Sequence, residues 1–231
     1  MNIIITGGSN GIGKQAALFL SQEKSNEILI TGRNSRTLKK VSDATDNNNI
    51  RYLVSDFRNL HMAPDEFKNN VLSFFRSVDI LINNAGTLFS KKFVDITDDQ
   101  AREMMEVNFF APMSIIKTLL PIMNRNAHIV NISSMGGFQG SMKFPGLSYY
   151  SASKAALACI TECLAVELSE QKISVNCLAL GSVQTEMLEN VFPGYIAPVS
   201  AADMGKYIAD FALYGNRIFN GKVLPVAFTT P

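Results

Sequence analysis

Short runs of consecutive apolar residues alternate along this chain with stretches in which apolar residues recur at helical spacing. The runs are rich in β-branched residues, and they predict buried parallel strands, because strands covered on both faces read as continuous hydrophobic segments. The predicted strands lie at residues 2–5, 27–31, 50–55, 79–83, 127–132, 173–179 and 222–227. Helical patterns between most of them predict right-handed βαβ units.

The alternation indicates an α/β fold of the doubly wound Rossmann type. We expect one domain over residues 1–231, with a mostly parallel seven-stranded sheet and helices on both faces. The 231 residues, 47% hydrophobic, are enough for one large core. A long helix is predicted from about residue 98 to 124, with Thr97 as N-cap and Gln100 three positions later. Ligands of such folds bind at the carboxyl ends of the strands.

Charge and cysteine content narrow the function classes. The formal charge is +1, from 21 basic and 20 acidic residues, so we expect neither nucleic acid nor an anionic membrane as a partner. The chain shows neither a leader nor an apolar run of membrane-spanning length, and we expect a cytoplasmic protein. Cys159, Cys163 and Cys177 are predicted to be reduced, and Cys159 and Cys163 to be small buried hydrophobes rather than metal ligands. Only two histidines are present, His61 and His128, and no metal site is expected.

A glycine-rich turn joins the first strand to the first helix. Its sequence is Thr6-Gly-Gly-Ser-Asn-Gly-Ile-Gly13, followed at once by good helix formers. Backbone N–H groups and the helix dipole at such a turn hold a pyrophosphate, and the glycines permit a tight turn and close approach of the ligand. A glycine-rich loop without a ligand is the alternative interpretation.

Tyr150 and Lys154 are four residues apart in the segment YYSASK, so both side chains leave one face of a helix. An ammonium at this position favours the phenolate and makes proton exchange by a tyrosine feasible. Tyr149 has Ser153 at the equivalent distance and lacks this partner. Ser134 follows a predicted strand and would donate a hydrogen bond to a carbonyl oxygen, with Ser133 as its rival.

These motifs, in this order, resemble the short-chain dehydrogenase/reductase family, in particular carbonyl reductases similar to 3-oxoacyl-carrier-protein reductase. The resemblance runs from Asn2 to about Val226 and includes the cofactor loop and the segment Asn83-Asn84-Ala85-Gly86. It implies that Asn108, Ser134, Tyr150 and Lys154 are catalytic. In the family, the lysine also binds the nicotinamide ribose, and the asparagine holds a water that links the lysine to solvent.

The resemblance implies a nicotinamide cofactor, NADP(H) rather than NAD(H). NAD-dependent members carry Asp where this chain has Gly32, and Arg33 can bind a 2′-phosphate, although an arginine facing solvent is the alternative. Many NADP-dependent members have a basic residue where Asn10 stands. Asp56 would contact the adenine amino group. The implied cofactor-binding set is Gly7, Ser9, Asn10, Gly11, Ile12, Gly13, Arg33, Asn34, Asp56, Phe57, Asn84, Ala85, Gly86, Tyr150, Lys154, Gly181, Val183 and Thr185.

The substrate side departs from the family pattern. Leu180 replaces the usual proline before Gly181, and the expected lid, at about residues 186–198, is short. An apolar carbonyl or hydroxyl substrate is expected, without a choice among acyl-thioester, steroid, sugar and xenobiotic classes. Lys143 is the single cation of the expected lining, whose other members are Met135, Phe138, Met142, Phe144, Leu147 and Met187.

Two further expectations concern assembly and the class of function. Apolar residues surround much of the helix at about residues 150–170, which predicts a homodimer or homotetramer. A protein that binds NADP(H) as a sensor or scaffold, without redox chemistry, is the alternative function.

Overall fold

The computed structural model describes residues 1–229, apart from the side chain of His61. Nine strands are described: β1 Asn2–Thr6, β2 Glu27–Gly32, β3 Ile50–Val54, β4 Val78–Asn83, β5 Met123–Ser134, β6 Ser174–Leu180, β7 Val183–Gln184, β8 Val199–Ser200 and β9 Val223–Val226. The α-helices are α1 Gly11–Leu20, α2 Ser35–Ser42, α3 Pro64–Leu72, α4 Asp98–Met105, α5 Ala111–Leu119, α6 Ser148–Glu167, α7 Glu186–Val191 and α8 Ala201–Tyr214.

Seven strands form one parallel sheet in the order β3-β2-β1-β4-β5-β6-β9. The predicted doubly wound Rossmann-type architecture is confirmed. The chain builds outward from β1 to β3 and then returns to place β4 on the other side of β1. The crevice at this reversal is where ligands of open α/β sheets bind.

Alternate residues of each strand enter two separate hydrophobic layers. On β1, Ile3 and Ile5 pack with α1 and α8, whereas Ile4 packs with α3 and α5. Helices therefore cover both faces of the sheet, which explains why the strands are continuous apolar runs.

The helix predicted from residue 98 to 124 is interrupted. Thr97 and Gln100 do form the predicted capping box, but α4 ends at Met105 and a π-helical segment covers Glu106–Phe110 before α5 begins. After Leu119, a short 3₁₀ turn over Leu120–Ile122 leads directly into β5, which begins at Met123. Pro121 has no backbone N–H to continue an α-helix, and this explains the early end.

The interpretation of Cys159 and Cys163 as buried residues is wrong. Both are exposed on the outer face of α6, whereas Cys177 is buried in β6. His128, for which the sequence indicates no role, is buried in β5. Its Nδ1 lies 2.9 Å from the Ala212 carbonyl and its Nε2 lies 3.0 Å from the Asn176 amide. Burial lowers the pKa of His128 to about 4.

Candidate active site

The glycine turn between β1 and α1 is closed tightly by backbone packing. Gly7 and Gly11 have φ angles of +69° and +51°, a region that favours glycine. A Cβ on Gly13 would lie 2.5 Å from the Gly7 carbonyl oxygen and 2.4 Å from the Asn84 amide nitrogen. Larger residues would therefore force the turn open.

The N-terminus of α1 has no side-chain cap among the described residues. Within residues 1–229, the side chain of its N-cap, Asn10, makes no capping hydrogen bond, and the first turn contains no acidic residue. The first N–H groups, at Gly11, Ile12 and Gly13, therefore keep their donor capacity at the positive end of the helix dipole. Ser9 is partly exposed at the same turn. This arrangement fits the pyrophosphate of a dinucleotide.

Thr6 and Asn84 fasten this turn to the segment after β4. The backbone N–H groups of Asn84 and Ala85 each donate to Thr6 Oγ1 at 3.0 Å. The Asn84 side chain donates to the carbonyls of Thr6 and Gly7 at 3.0 and 3.1 Å. Asn84 thus shapes the glycine turn, and Thr6 is a site residue whose function the sequence analysis missed. Its signal was a hydroxyl at the carboxyl end of a buried strand.

The end of β2 presents Gly32 and Arg33 beside the glycine turn. Arg33 is exposed. A Cβ on Gly32 would make only ordinary contacts, at 3.6 Å to Ser9 Oγ and 3.6 Å to a Leu38 methyl. Asn34 is the N-cap of α2, with its Oδ1 accepting from the N–H groups of Arg36 and Thr37. The side-chain oxygen of Asn34 therefore caps the N-terminus of α2.

Asp56 follows β3 and is held by a neighbouring arginine. Arg58 Nε lies 3.0 Å from both carboxylate oxygens of Asp56. The hydrogen bonds from Arg58 hold the pKa of the Asp56 carboxyl below its usual range. The side chain of Phe57 is buried in the core, so only its backbone is open to a ligand.

Asn108 lies in the π-helical segment, and both the oxygen and the nitrogen of its amide bind protein atoms. Its Oδ1 accepts from the Thr87 N–H at 2.8 Å, and its Nδ2 donates to the Thr87 carbonyl at 2.9 Å and to Ser153 Oγ at 3.0 Å. The expected water link between the lysine and solvent stays a prediction. The Asn108 side chain itself joins the loop after β4 to α6.

Ser133 and Ser134 leave β5 on opposite faces, as strand geometry requires. The Ser133 hydroxyl is buried and donates to the Lys154 carbonyl at 2.8 Å. The Ser134 hydroxyl accepts from the Gly136 N–H at 3.1 Å and interacts with the Tyr150 phenol. Of the two serines, Ser134 is the one placed beside Tyr150.

Tyr150 and Lys154 lie one turn apart on α6, with the Lys154 ammonium 6.0 Å from the centre of the tyrosine ring. Burial raises the pKa of the Tyr150 phenol, and its interaction with Ser134 opposes that rise. Burial lowers the pKa of Lys154 to about 8. The sequence predicts a lowered tyrosine pKa, but in this structure desolvation of the phenol is the largest effect and the Tyr150 pKa is raised.

Gly86 completes this corner of the crevice. A Cβ at Gly86 would lie 3.2 Å from Asn108 Oδ1 and 3.4 Å from Lys154 Nζ. The absence of a side chain therefore keeps space in front of the lysine ammonium. The carboxyl ends of β1, β4 and β5 accordingly bring together the glycine turn, Asn108, Ser134, Tyr150 and Lys154.

The segment after β6 forms a small lid fastened to its own base. Gly181 donates to the Val226 carbonyl at 2.9 Å, Val183 is buried in β7, and the Thr185 hydroxyl caps α7. Within the expected lid, the Ala197 N–H donates to the Gln184 side chain at 2.8 Å, while Tyr195 Oη lies 3.2 Å from Ser182 Oγ. The lid therefore folds over residues 182–184.

The expected substrate lining divides into two groups. Met135 and Leu147 are buried, whereas Met142, Phe144 and Met187 are exposed; Phe138 is partly exposed. Lys143 donates to the Phe138 carbonyl at 2.6 Å and to Ser141 Oγ at 2.9 Å, so its ammonium holds the loop together.

Phe93 stacks on Tyr149 with ring centres 5.7 Å apart, a contact beside the site that sequence spacing could not reveal.

No cluster of side chains suitable for a metal ion occurs among the described residues. Of the helices in that part of the chain, none has the length and apolar character needed to cross a membrane.

The family model described as short chain dehydrogenase matches residues 1–195. Dehydrogenase/reductase SDR family member 7B of Xenopus laevis is 32% identical over 203 residues, which are 83% of this chain and 61% of that protein. This chain therefore spans about three fifths of that relative's length. An uncharacterized oxidoreductase of Staphylococcus epidermidis is 30% identical over 213 residues, covering 91% of this chain and 88% of that one.

Solved structures share the fold over nearly the whole chain. A short chain dehydrogenase from Burkholderia cenocepacia, described in complex with NADP, superposes with a TM-score of 0.85 at 25% identity and covers 97% of this chain and 95% of its own. A dehydrogenase/reductase from Sinorhizobium meliloti gives a TM-score of 0.82 at 27% identity, with 98% and 93% covered.

Proposed function

The chain belongs to the short-chain dehydrogenase/reductase family, and on that premise we propose that it is an NADPH-dependent oxidoreductase that interconverts a carbonyl and an alcohol. The observation that carries the proposal is the convergence of Ser134, Tyr150 and Lys154 at the strand ends, beside an uncapped helix N-terminus. This arrangement supports proton transfer by Tyr150 beside an anion bound at the glycine turn.

The residues that would hold the cofactor fit its chemistry. The N–H groups at the start of α1 would bind the pyrophosphate, and the Lys154 ammonium would bind a ribose hydroxyl. Val183 and Thr185 would face the nicotinamide amide. A bound nicotinamide cofactor supplies or accepts the hydride.

In the reductive direction, Tyr150 gives its phenolic proton to the substrate oxygen, while the Ser134 hydroxyl donates a hydrogen bond to that oxygen. The carbonyl carbon gains a hydride and the oxygen gains the proton, so the product is the alcohol. Lys154 stabilises the phenolate left behind, because its ammonium is buried within a turn of Tyr150 and interacts in a medium of low dielectric constant.

NADP(H) is favoured over NAD(H) by the side chains at the end of β2. Gly32 offers no carboxylate to a ribose 2′-hydroxyl, and the exposed Arg33 is available to a 2′-phosphate. The NADP complex described for the Burkholderia relative supports the same choice. The proposed substrate is a small apolar carbonyl or hydroxyl compound, since exposed Met142, Phe144 and Met187 surround the approach.

The alternative function is an NADP(H)-binding sensor or scaffold without redox chemistry. The juxtaposition of Ser134 and Tyr150 favours the enzyme, because a protein that only binds nucleotide has no need of a phenol in contact with a hydroxyl. The test is NADPH oxidation with a panel of ketones, and NADP⁺ reduction with the matching alcohols. A sensor would be thermally stabilised by NADPH and would turn over none of these compounds.

The whole chain would act as one Rossmann domain in the cytoplasm, with residues 186–198 as the lid. We propose that it assembles as a homodimer or homotetramer through the outer face of α6. That face exposes Cys159, Cys163 and Val166, and Phe110 is exposed on the neighbouring π-helical segment. Apolar surface of this kind on two adjacent elements favours contact with a second copy.

A further inference from the structure

Arg58 and Asp56 form an ion pair of close geometry at the carboxyl end of β3. Arg58 Nε lies 3.0 Å from each oxygen of the carboxylate, and Nη2 of the same guanidinium also donates to Oδ2. The Arg58 backbone N–H adds a fourth hydrogen bond, at 3.1 Å to Oδ1. The pair therefore fixes the direction of the carboxylate.

This ion pair lies beside the proposed cofactor site. The last residue of β2, Gly32, accepts from the Ser55 N–H at 2.9 Å, which places Asp56 next to Arg33. Arg33 also acts on Asp56 electrostatically and contributes to holding the pKa of its carboxyl low. Gly32 in turn packs near Ser9 of the glycine turn. Asp56, Arg33 and the glycine turn thus surround one corner of the crevice.

An unpaired carboxylate in this corner would disfavour a 2′-phosphate. The phosphate is a doubly charged anion, and like charges within one Debye length repel each other. Asn10 provides no positive charge in the glycine turn, so the charge of Arg33 would have to offset both the phosphate and Asp56.

We propose that Arg58 is a specificity-determining residue that acts through Asp56: by pairing with this carboxylate, it removes the repulsion that would otherwise weaken NADPH relative to NADH. The inference rests on the proposed NADP(H)-dependent function. It assigns Arg58 a positioning role and does not require contact between Arg58 and the cofactor.

The test is a double-mutant cycle on cofactor binding. Dissociation constants for NADPH and NADH are measured by fluorescence titration for the wild type, Arg58→Ala, Asp56→Asn and the double variant. Arg58→Ala should weaken NADPH binding about three- to tenfold and NADH binding less than about twofold, because only NADPH carries the 2′-phosphate. Asp56→Asn in the Arg58→Ala background should restore NADPH binding to within about twofold of the Asp56→Asn single variant.

Two results would overturn the proposal. An equal loss for both cofactors in Arg58→Ala would mean that Arg58 only orders the loop. A double variant that binds NADPH as weakly as Arg58→Ala would mean that Arg58 contacts the phosphate directly. Arg51→Ala is the matched control, since it removes an exposed arginine near the amino end of the same strand and should leave both constants unchanged.

Arg33→Ala, measured in parallel, separates this inference from the proposed function. If Arg33→Ala affects the two cofactors equally, the NADP(H) preference itself is wrong. If Arg33→Ala selectively weakens NADPH while Arg58→Ala has no selective effect, only the role of Arg58 is wrong.

Discussion

The ammonium of Lys154 donates a 2.8 Å hydrogen bond to the backbone carbonyl of Ile132. This contact connects α6 to β5, and it uses the side chain of the proposed catalytic lysine. Burial lowers the pKa of Lys154 to about 8, so carrying the charge in the folded state costs free energy. The active-site lysine should therefore be a destabilising residue in the absence of cofactor.

Lys154→Met should raise the free energy of unfolding of the cofactor-free protein at pH 7 by about 1–2 kcal/mol. The full relief of desolvation, about 3 kcal/mol, is partly offset by leaving the Ile132 carbonyl without its donor. The measurement is urea denaturation, with exposed Lys24→Met as the control. The unfolded state binds more protons between pH 8 and 10.5, so the wild type should gain stability as pH rises through that window, while the variant should not. A variant less stable than the wild type at every pH would contradict the interpretation.

Tyr150→Phe should retain the fold and cofactor binding but lose at least about a hundredfold in turnover, the low end of what a positioned acid or base contributes. The comparison is kcat on the best ketone of the panel. Tyr149→Phe is the matched control and should lower kcat far less, because Tyr149 lacks a lysine one turn away and stacks on Phe93 instead. Near-normal turnover by Tyr150→Phe would remove Tyr150 from the mechanism.

Arg33→Ala should weaken NADPH binding about ten- to a hundredfold and leave NADH almost unchanged. A charge-assisted contact of about 1.5–3 kcal/mol with the 2′-phosphate corresponds to that range. Adding Gly32→Asp should move the preference toward NADH, and the space around Gly32 accepts a Cβ without a clash. The measurement is the dissociation constant of each cofactor for the wild type and the variants. Equal affinities in the wild type would exclude the proposed preference for NADPH over NADH.

His128 should make the protein sensitive to acid. Burial lowers its folded-state pKa to about 4, whereas the unfolded value is about 6.5, so the unfolded state binds the extra proton first. Its contribution to stability is complete above pH 6.5 and should be lost as pH falls toward 4, a change of about 3 kcal/mol. His128→Gln should be less stable at pH 7.5 but should depend less on pH in this window. Parallel pH profiles for the two proteins would show that other groups cause the acid response.

Val166→Asp should dissociate the proposed oligomer. Val166 is 75% exposed on the outer face of α6, where a buried carboxylate would oppose association. Sedimentation velocity at micromolar concentration provides the measurement. Leu72→Asp, on the exposed side of α3, is the control and should leave assembly unchanged. A wild-type chain that sediments only as a monomer would refute the assembly itself.

The sequence predicts the sheet well, because buried parallel strands are continuous apolar runs. The strand predicted at 27–31 is found at Glu27–Gly32, and that at 173–179 at Ser174–Leu180. The strand predicted at 127–132 extends to Met123–Ser134. Its added residues include polar ones, and hydrophobicity alone gives no signal there.

The site could be predicted as a set of positions but not as a set of contacts. Spacing placed Tyr150 and Lys154 on one helix face, and the α6 geometry agrees. The contacts of Asn108 are hydrogen bonds between separate elements, and the Arg58–Asp56 pair depends on the conformation of one loop. A single sequence has no periodic signal for either. The exposed cysteines of α6 show the same limit, since a helix that is apolar all round does not reveal which face meets the sheet.

The fastening of the glycine turn by Thr6 and Asn84 has a consequence for synthesis on the ribosome. All residues of the turn are present in the nascent chain once α1 has emerged. Asn84 and Ala85, whose hydrogen bonds hold the shape of the turn, follow some seventy residues later, just after β4. A partly made chain that ends before β4 therefore carries the cofactor-binding sequence without a formed binding site. Cofactor could assist folding only after Asn84 has left the exit tunnel, so its stabilising effect acts late in biogenesis.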